Sequence, residues 1–346
     1  MKIIHCADIH LGAPINAFPK EISEGRKREV RNTFLRMVNY ARENAIKLIL
    51  LAGDVFDRDK PFKKDVDFFY DVVESNPDID FLYLRGNHDS EGEARTLANL
   101  KTFSTEWQSY EYGDLTISGI ELVASNKISL YSTLSLNAKK KNIVMLHGQL
   151  GEEINLVKLR EKNIDYLALG HIHSYADGNV DGRGRYAYSG CLEGRGFDET
   201  GIKGFVCIDV EDTLTYTFKP FSQRCIEEIE LDVSDLKDGY QMARLARAKI
   251  PFKKENIYRI RLVGEVDAQT EEFAADAQRA LEGDCAYVSV KDKTKKKMDY
   301  VLYDGDNSLK GEFVRTVLSS GDYTEEEKAQ IIAYGLKALV GREVDA

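Results

Sequence analysis

The chain has 346 residues, 43% hydrophobic and 31% charged, with 58 acidic against 48 basic side chains and a formal net charge of −10. That length allows two or three domains, each burying a core without disulfide or metal staples. The composition excludes a collagen-like, disordered or membrane-embedded chain, because no apolar run approaches the ~20 residues that span a bilayer, and the acidic balance lacks the basic footprint of a stand-alone nucleic-acid-binding domain.

In chain order, short apolar runs break off abruptly into polar clusters. Residues 2–7 (KIIHCA) run into Asp8-Ile9-His10. Residues 25–44 place Val30, Phe34, Val38 and Ala41 on one helical face. Residues 47–52 (KLILLA) run into Gly53-Asp54, and 62–75 carry a second helical face of Val66, Phe69, Tyr70 and Val73. FLYL (81–84) leads, one residue on, into Gly86-Asn87-His88-Asp89. NIVML (142–146) leads into His147-Gly148, and YLAL (166–169) into Gly170-His171-Ile172-His173. Such runs, apolar without alternation, predict strands covered on both faces. Their alternation with helices predicts an α/β sheet, whose ligands gather outside the carboxyl ends of the strands. The glycine-rich stretch 180–224, with YAYSG (186–190), GFVCIDV (204–210) and LTYTFKPF (214–221), predicts strands and hairpins that complete a first domain, residues 1–223.

The character changes near Phe221-Ser222-Gln223-Arg224. A second unit, 224–305, is predicted from strands at 226–233, 256–266 and 285–290 and a helix at 270–282. Helices at 308–319 and 324–340 form a C-terminal segment, 306–346, the second opened by a capping box from Thr324 to Glu327. Lys293, Lys295, Lys296 and Lys297 read as an exposed turn. The opening MKIIHCADIH lacks the apolar core and cleavage site of a signal peptide. Cys6, Cys191, Cys207, Cys225 and Cys285 are scattered and odd in number. They argue against a disulfide framework and a thiolate zinc site, and a reducing cytoplasm is the simplest setting.

Of six histidines, five (His10, His88, His147, His171 and His173) fall in the strand-end clusters, beside Asp8, Asp54, Asp89 and the amide of Asn87. Imidazole mixed with carboxylate suits Mn, Fe, Co or Zn better than Mg or Ca. The donors outnumber the four of one tetrahedral ion. They suffice for two ions sharing a carboxylate, the arrangement that clamps the attacking and leaving oxygens of a phosphoryl transfer. Gly53, Gly86, Gly148 and Gly170 flank these positions, where the backbone turns sharply off a strand. His5 sits mid-strand and reads as a structural histidine.

Asp8-x-His10, Gly53-Asp54-x-x-Asp57, Gly86-Asn87-His88-Asp89, His147-Gly148 and Gly170-His171-x-His173 resemble, in order and spacing, the five motifs of the calcineurin-like metallophosphoesterases over about the first 220 residues. The resemblance implies a two-sheet sandwich flanked by helices, an α/β (α+β) fold. It implies one metal on Asp8, His10, Asp54 and His173 and another on Asp54, Asn87, His147 and His171, with Asp54 bridging. His88 would be catalytic, facing the substrate phosphate to stabilise charge or protonate the leaving oxygen. Asp57 and Asp89 would orient the ligands or His88.

Finer features resemble the SbcD-type nucleases of double-strand-break repair: A-D-I-H-L-G (7–12), L-A-G-D-V-F-D-R (51–58), L-R-G-N-H-D-S (84–90), G-H-I-H (170–173) and Y-S-G (188–190). That resemblance implies manganese-dependent exonuclease or endonuclease action on DNA, with iron, cobalt or zinc as alternative ions. It also implies a small α/β capping domain, an SbcC-type ATPase partner, a homodimer and no membrane; the last helices, 308–340, are either the attachment point for that partner or simply pack on the domain. Basic candidates for DNA contact are Arg26, Lys27, Arg28, Arg58, Lys63, Lys64, Arg183, Arg185 and, foremost for substrate binding, Arg195 in G-R-G-F-D-E (194–199). A phosphodiesterase or phosphatase acting on a small molecule or phosphoprotein is the alternative, favoured by the net charge and by the generic H-G-Q (147–149). A non-catalytic metal-binding scaffold is a third reading, against which the intact His88 argues.

Overall fold

The first part of the chain runs β1 (Lys2–Cys6), α1 (Lys20–Glu43), β2 (Leu48–Ala52), α2 (Lys63–Glu74), β3 (Asp80–Leu84), β4 (Leu100–Thr102), β5 (Gln108–Tyr112), β6 (Leu115–Gly119), α3 (Leu130–Thr133), β7 (Lys141–His147), β8 (Tyr166–Gly170), β9 (Ala176–Asn179), β10 (Arg185–Tyr188), β11 (Gly204–Val210) and β12 (Leu214–Pro220). It continues with β13 (Ile226–Asp232), α4 (Gly239–Lys249), β14 (Ile257–Val263), β15 (Glu265–Val266), α5 (Phe273–Leu281), β16 (Tyr287–Asp292), β17 (Lys295–Lys296), α6 (Leu309–Ser319) and α7 (Glu325–Leu339). This computed structural model describes residues 1–57, 61–89, 95–234, 236–266, 273–296 and 300–339. The chain divides into one unit of Met1–Glu228, Lys253–Arg259 and Gly283–Tyr287, and another of Ile229–Phe252, Ile260–Glu282 and Val288–Ala346.

The five apolar runs are all strands, but they belong to two sheets, not one. β1, β2 and β3 are parallel neighbours in the order β12-β11-β1-β2-β3-β4; β7 and β8 are parallel neighbours in the order β5-β6-β7-β8-β10-β9. Alternate residues of each run serve different cores. Ile3, Leu48, Leu50, Leu82 and Leu84 pack in one buried cluster with Ile117, Ile143, Met145, Tyr166 and Ala168, filling the space between the sheets. Ile4, Ile49, Leu51 and Phe81 face outward into a second cluster with Phe34, Met37 and Val38 of α1 and Phe69 and Val73 of α2. Val144, Leu146, Leu167 and Leu169 face a third with Leu130, Leu159 and Ile164. Burying a side chain of this size stabilises by about 1.5–3 kcal/mol, so neither face of these strands tolerates a polar residue without a partner. His5 meets that condition inside the sandwich, with Nδ1 2.9 Å from the Tyr166 hydroxyl. Burial pushes its pKa down to about 3, so it is neutral and lies apart from the strand-end cluster.

α1 starts at Lys20, directly after Pro19, five residues earlier than its apolar periodicity predicts. A proline suits a helix start because its fixed φ is helix-compatible and its missing N–H has no partner there anyway. The sequence reading leaves residues 95–140 without elements, yet β4, β5, β6 and α3 lie there. β6 reads LTISG but is wholly buried, and its Ser118 hydroxyl pairs with that of Ser109 at 2.7 Å. α4 is also additional; its buried face is Met242, Ala243 and Ala246, which gives a weak apolar period. The capping box opens α7, with Thr324 N donating to Glu327 at 2.8 Å and Glu327 N donating to Thr324 Oγ1 at 3.3 Å. The second unit also carries a two-stranded pair, β15 with β17. Arg58 and Lys297 lie outside the described residues. All five cysteines are free thiols. No helix among the described residues is long and apolar enough to cross a membrane.

Arg26 is not available to DNA, because its side chain is 1% exposed and committed to the interior. It pairs with Glu29, donates to Glu193 at 2.8 Å and to the Gly194 carbonyl at 2.5 Å. Thr33 and the Gln223 N–H also donate to Glu193, and Arg224 Nε donates to Glu29 at 2.7 Å. Removing one member of a buried ionic network leaves the others uncompensated. Arg26→Met is therefore expected to lower unfolding stability by about 3–5 kcal/mol in urea titrations, without changing metal content; a loss under about 1 kcal/mol contradicts this role.

Candidate metal centre

Each candidate ligand leaves the carboxyl end of a strand: Asp8 and His10 follow β1, Asp54 follows β2, Asn87 and His88 follow β3, His147 ends β7, and His171 and His173 follow β8. Asp8, His10 and Asp54 each have φ of 52° and His171 has 98°, left-handed conformations that cost side-chain-bearing residues about 1–3 kcal/mol each. Hydrogen bonds between the loops hold them there: Asp8 N donates to Gly53 O at 3.0 Å and His10 N to Asp54 O at 3.0 Å. Two glycines are required by close approach. A Cβ on Gly53, itself at φ 96°, would sit 2.1 Å from His147 Nδ1, and one on Gly86 would sit 2.2 Å from Asp54 Oδ1.

The side chains converge in two groups. In one, His10 Nε2 and His173 Nε2 are 3.2 Å apart, with Asp8 Oδ1 4.0 Å from His173 Nε2. In the other, Asn87 Oδ1 is 3.1 Å from both His147 Nε2 and His171 Nδ1. Asp54 Oδ2 faces both groups, 3.3 Å from His147 Nε2 and 3.9 Å from His10 Nε2. That oxygen is buried without a well-formed hydrogen bond among the described residues. Asp8 also accepts the His171 N–H at 3.0 Å.

The outer nitrogens face oxygens, which favours the tautomers with Nε2 as the ligand atom. His10 Nδ1 is 2.9 Å from Asp57, His173 Nδ1 2.7 Å from Glu199 and His147 Nδ1 2.9 Å from the Ala52 carbonyl. An acceptor at Nδ1 takes the N–H there and leaves Nε2 as a lone pair. Two lone pairs then face each other at 3.2 Å across His10 and His173, and the His147 lone pair faces the oxygens of Asn87 and Asp54. Such a convergence repels itself unless a cation lies within it. Separations near 3.1–3.3 Å are also the edges of a coordination shell with bonds of about 2.0–2.2 Å. The donor set therefore fits two divalent cations.

Without a cation, a proton takes its place. Burial disfavours a charged His147, but the close approach of the Asp54 carboxylate and the charges of Asp8 and Asp54 outweigh it and push its pKa up to about 9. Burial likewise opposes the ionised Asp54, yet His147 holds its carboxyl down at about 2. A metal ion must expel the His147 proton. Its affinity should thus rise about tenfold per pH unit up to about pH 9 and level off above it, as metal titrations at several pH values would register. The same raised pKa stabilises the cation-free fold fully below the ordinary 6.5, an effect lost as pH climbs through about 9. An affinity flat across that window contradicts the pairing.

His88 stands beside the ligands: its ring is exposed and edge-on to that of His10, centroids 5.3 Å apart, and its N–H donates to Asp54 Oδ1 at 2.9 Å. Asp89 accepts the N–H groups of Phe56 at 2.8 Å and Gly86 at 3.0 Å, tying the loops after β2 and β3 together; burial pushes its carboxyl up to about 6. The Arg195 guanidinium is turned inward, onto Asp57 at 3.0 Å and onto Glu199, so protein carboxylates occupy the fork that sequence reading reserves for substrate. Glu199 and Lys203, whose Nζ donates to the His173 carbonyl at 2.7 Å, were not anticipated. The only sequence signal for Glu199 is its place four residues after Arg195 in one loop. Arg183 is spent on Asp165 and two carbonyls, and Arg185 begins β10, at the opposite end of the sheet from the ligands. Lys27 and Lys64, with Arg31, line a cavity of about 230 Å³ beside His10.

The sequence model described as calcineurin-like phosphoesterase matches residues 1–175. The chain is 27% identical over 264 residues to the uncharacterized metallophosphoesterase YhaO of Bacillus subtilis, covering 69% of this chain and 64% of that protein. It is 26% identical over 202 residues to the DNA double-strand break repair protein Mre11 of Sulfurisphaera tokodaii, covering 52% and 51%. It is 23% identical over 309 residues to a subunit of the nuclease SbcCD from Staphylococcus epidermidis, covering 75% and 77%. The chain thus spans less than two thirds of the length of the first two relatives.

Proposed function

The chain belongs to the calcineurin-like phosphoesterase family, and from that membership we propose that it is a DNA phosphodiesterase of the SbcD kind, acting in repair with two divalent ions, manganese foremost. The observation that carries the hydrolytic reading is the convergence of imidazole nitrogens, an amide oxygen and a carboxylate oxygen at 3.1–3.3 Å, a donor set that suits two divalent cations. In this reading Asp8, His10, Asp54 and His173 hold one ion and Asp54, Asn87, His147 and His171 the other. Ions bound there lower the pKa of a shared water and polarise the phosphoryl oxygens.

The chain's own residues do the rest. His88, exposed and edge-on to the His10 ring, faces the phosphate and stabilises charge or protonates the leaving oxygen. Asp57 orients His10, and Asp89 fixes the loop that presents Asn87 and His88. The cavity beside His10 carries Lys64 together with two ion pairs, Lys27 with Glu24 and Arg31 with Asp65, so its net positive charge is small.

DNA as substrate is supported by the names of two of the three relatives above, a repair protein and a nuclease subunit. By the same likeness, residues 224–305 act as a capping domain, the nuclease chain forms a homodimer in the cytoplasm, and an SbcC-type ATPase docks on the C-terminal helices. The docking is supported by an apolar cavity between α6 and α7, lined by Leu309, Phe313, Gly335, Ala338 and Leu339. The net charge of −10 supports a second reading, a small-molecule phosphodiesterase. Incubation with manganese, linear duplex DNA and bis-p-nitrophenyl phosphate separates them. DNA cleavage is expected; dye release without DNA cleavage, with an ATPase partner present, overturns the nuclease reading in favour of the second.

A further inference from the structure

We propose that Arg195 and Glu199 are positioning residues that clamp His10 and His173 into the spacing of a single metal position, an inference that rests on the metal-ligand reading above. Four contacts close a ring. His10 Nδ1 meets Asp57 Oδ1 at 2.9 Å, and the same Asp57 oxygen accepts from Arg195 Nη1 at 3.0 Å. Arg195 Nε and Nη2 donate to Glu199 Oε1 at 3.1 and 2.5 Å, and that oxygen meets His173 Nδ1 at 2.7 Å. The ring ends where the two Nε2 atoms face each other at 3.2 Å.

The chemistry of each member matters. Each carboxylate lies against the Nδ1 of one imidazole, at 2.9 Å for His10 and 2.7 Å for His173, a placement that orients the ring and favours Nε2 as the donor. One planar guanidinium spans both carboxylates through different edges of a rigid fork, so the two imidazoles are referred to a common frame; a lysine ammonium could not do this. All of the ring but His173, which is 31% exposed, is sheltered, with side chains 1% exposed at His10, 4% at Glu199 and 16% at Arg195 and Asp57, which strengthens its charge-assisted bonds. The frame is itself anchored: Arg195 N donates to Glu199 Oε2 at 2.7 Å, and Lys203 Nζ and the Cys191 N–H both donate to the His173 carbonyl. The second group has no such ring among the described residues, since His147 leans on a backbone carbonyl. The clamp therefore acts on one metal position and not on the other.

The test is a Mn2+ titration of the full chain, reading free ion by electron paramagnetic resonance, with Co2+ absorption spectra as a report on geometry. Glu199→Gln and Arg195→Met should each still bind two ions, one with unchanged affinity and the other about 10–100-fold more weakly, with an altered Co2+ spectrum for the weakened ion. The double variant should be no worse than the weaker single, because either change opens the same ring. If Glu199→Gln fails to fold, Arg195→Lys, which keeps the buried charge and loses the fork, carries the same expectation. Unchanged affinity for both ions in variants of a protein that binds two, or a rise in KM with metal binding intact, overturns the clamp and leaves the metal reading standing. A wild-type chain that binds no ion overturns both.

Discussion

Asp54→Ala should strip both metal positions and take turnover to background. The Asp54 carboxylate faces both donor groups, with Oδ2 3.3 Å from His147 Nε2 and 3.9 Å from His10 Nε2, and Asp8 is the other carboxylate that lies with ligand atoms of both. Its other oxygen holds the His88 N–H at 2.9 Å, so the substitution also frees the loop after β3. Two-ion catalysis supplies several kcal/mol of transition-state stabilisation, and at 1.36 kcal/mol per tenfold its loss is a fall of about a thousandfold or more. The variant should fold, because without the Asp54 carboxylate beside it His147 can shed its proton and stay neutral. Elemental analysis against protein concentration checks the result; retention of two ions per chain would contradict the shared role of Asp54.

His88→Gln should separate catalysis from metal binding. The ring of His88 lies outside the two donor groups and is exposed to solvent, while the backbone N–H that supports Asp54 survives the substitution. Metal content should stay at the wild-type value while kcat falls about 10²–10⁴-fold, the usual contribution of a positioned acid. An unchanged kcat would refute the role given to His88, and a lost ion would make it a ligand.

The strand-end cluster of histidines and carboxylates, and the strands that present it, were legible in the sequence for one physical reason. β1, β2, β3, β7 and β8 are covered on both faces, so each reads as an unbroken apolar run, and each run stops where polar side chains become tolerable. That rule does not say which strands share a sheet. The division into three and two depends on packing between Leu50 or Leu82 and Met145 or Ala168, which no local pattern encodes. β6 was hidden because Thr116 and Ser118 are buried by virtue of hydrogen bonds made in the fold, such as Ser118 to Ser109. Charged residues were the least legible. Arg26 and Arg195 look like surface cations in the sequence, and both are turned inward onto carboxylates from distant segments, Glu193 and Asp57. Glu199 was missed for the same reason: its meaning comes from His173, 26 positions away in sequence and 2.7 Å away in space.

The donor geometry is tested most directly by diffraction at the manganese absorption edge from crystals grown with Mn2+. Two anomalous peaks are expected, about 3.5–4 Å apart, one among Asp8, His10, Asp54 and His173 and the other among Asp54, Asn87, His147 and His171. A single peak, or manganese bound away from these side chains, would contradict the shared two-cation site on which the hydrolytic function depends.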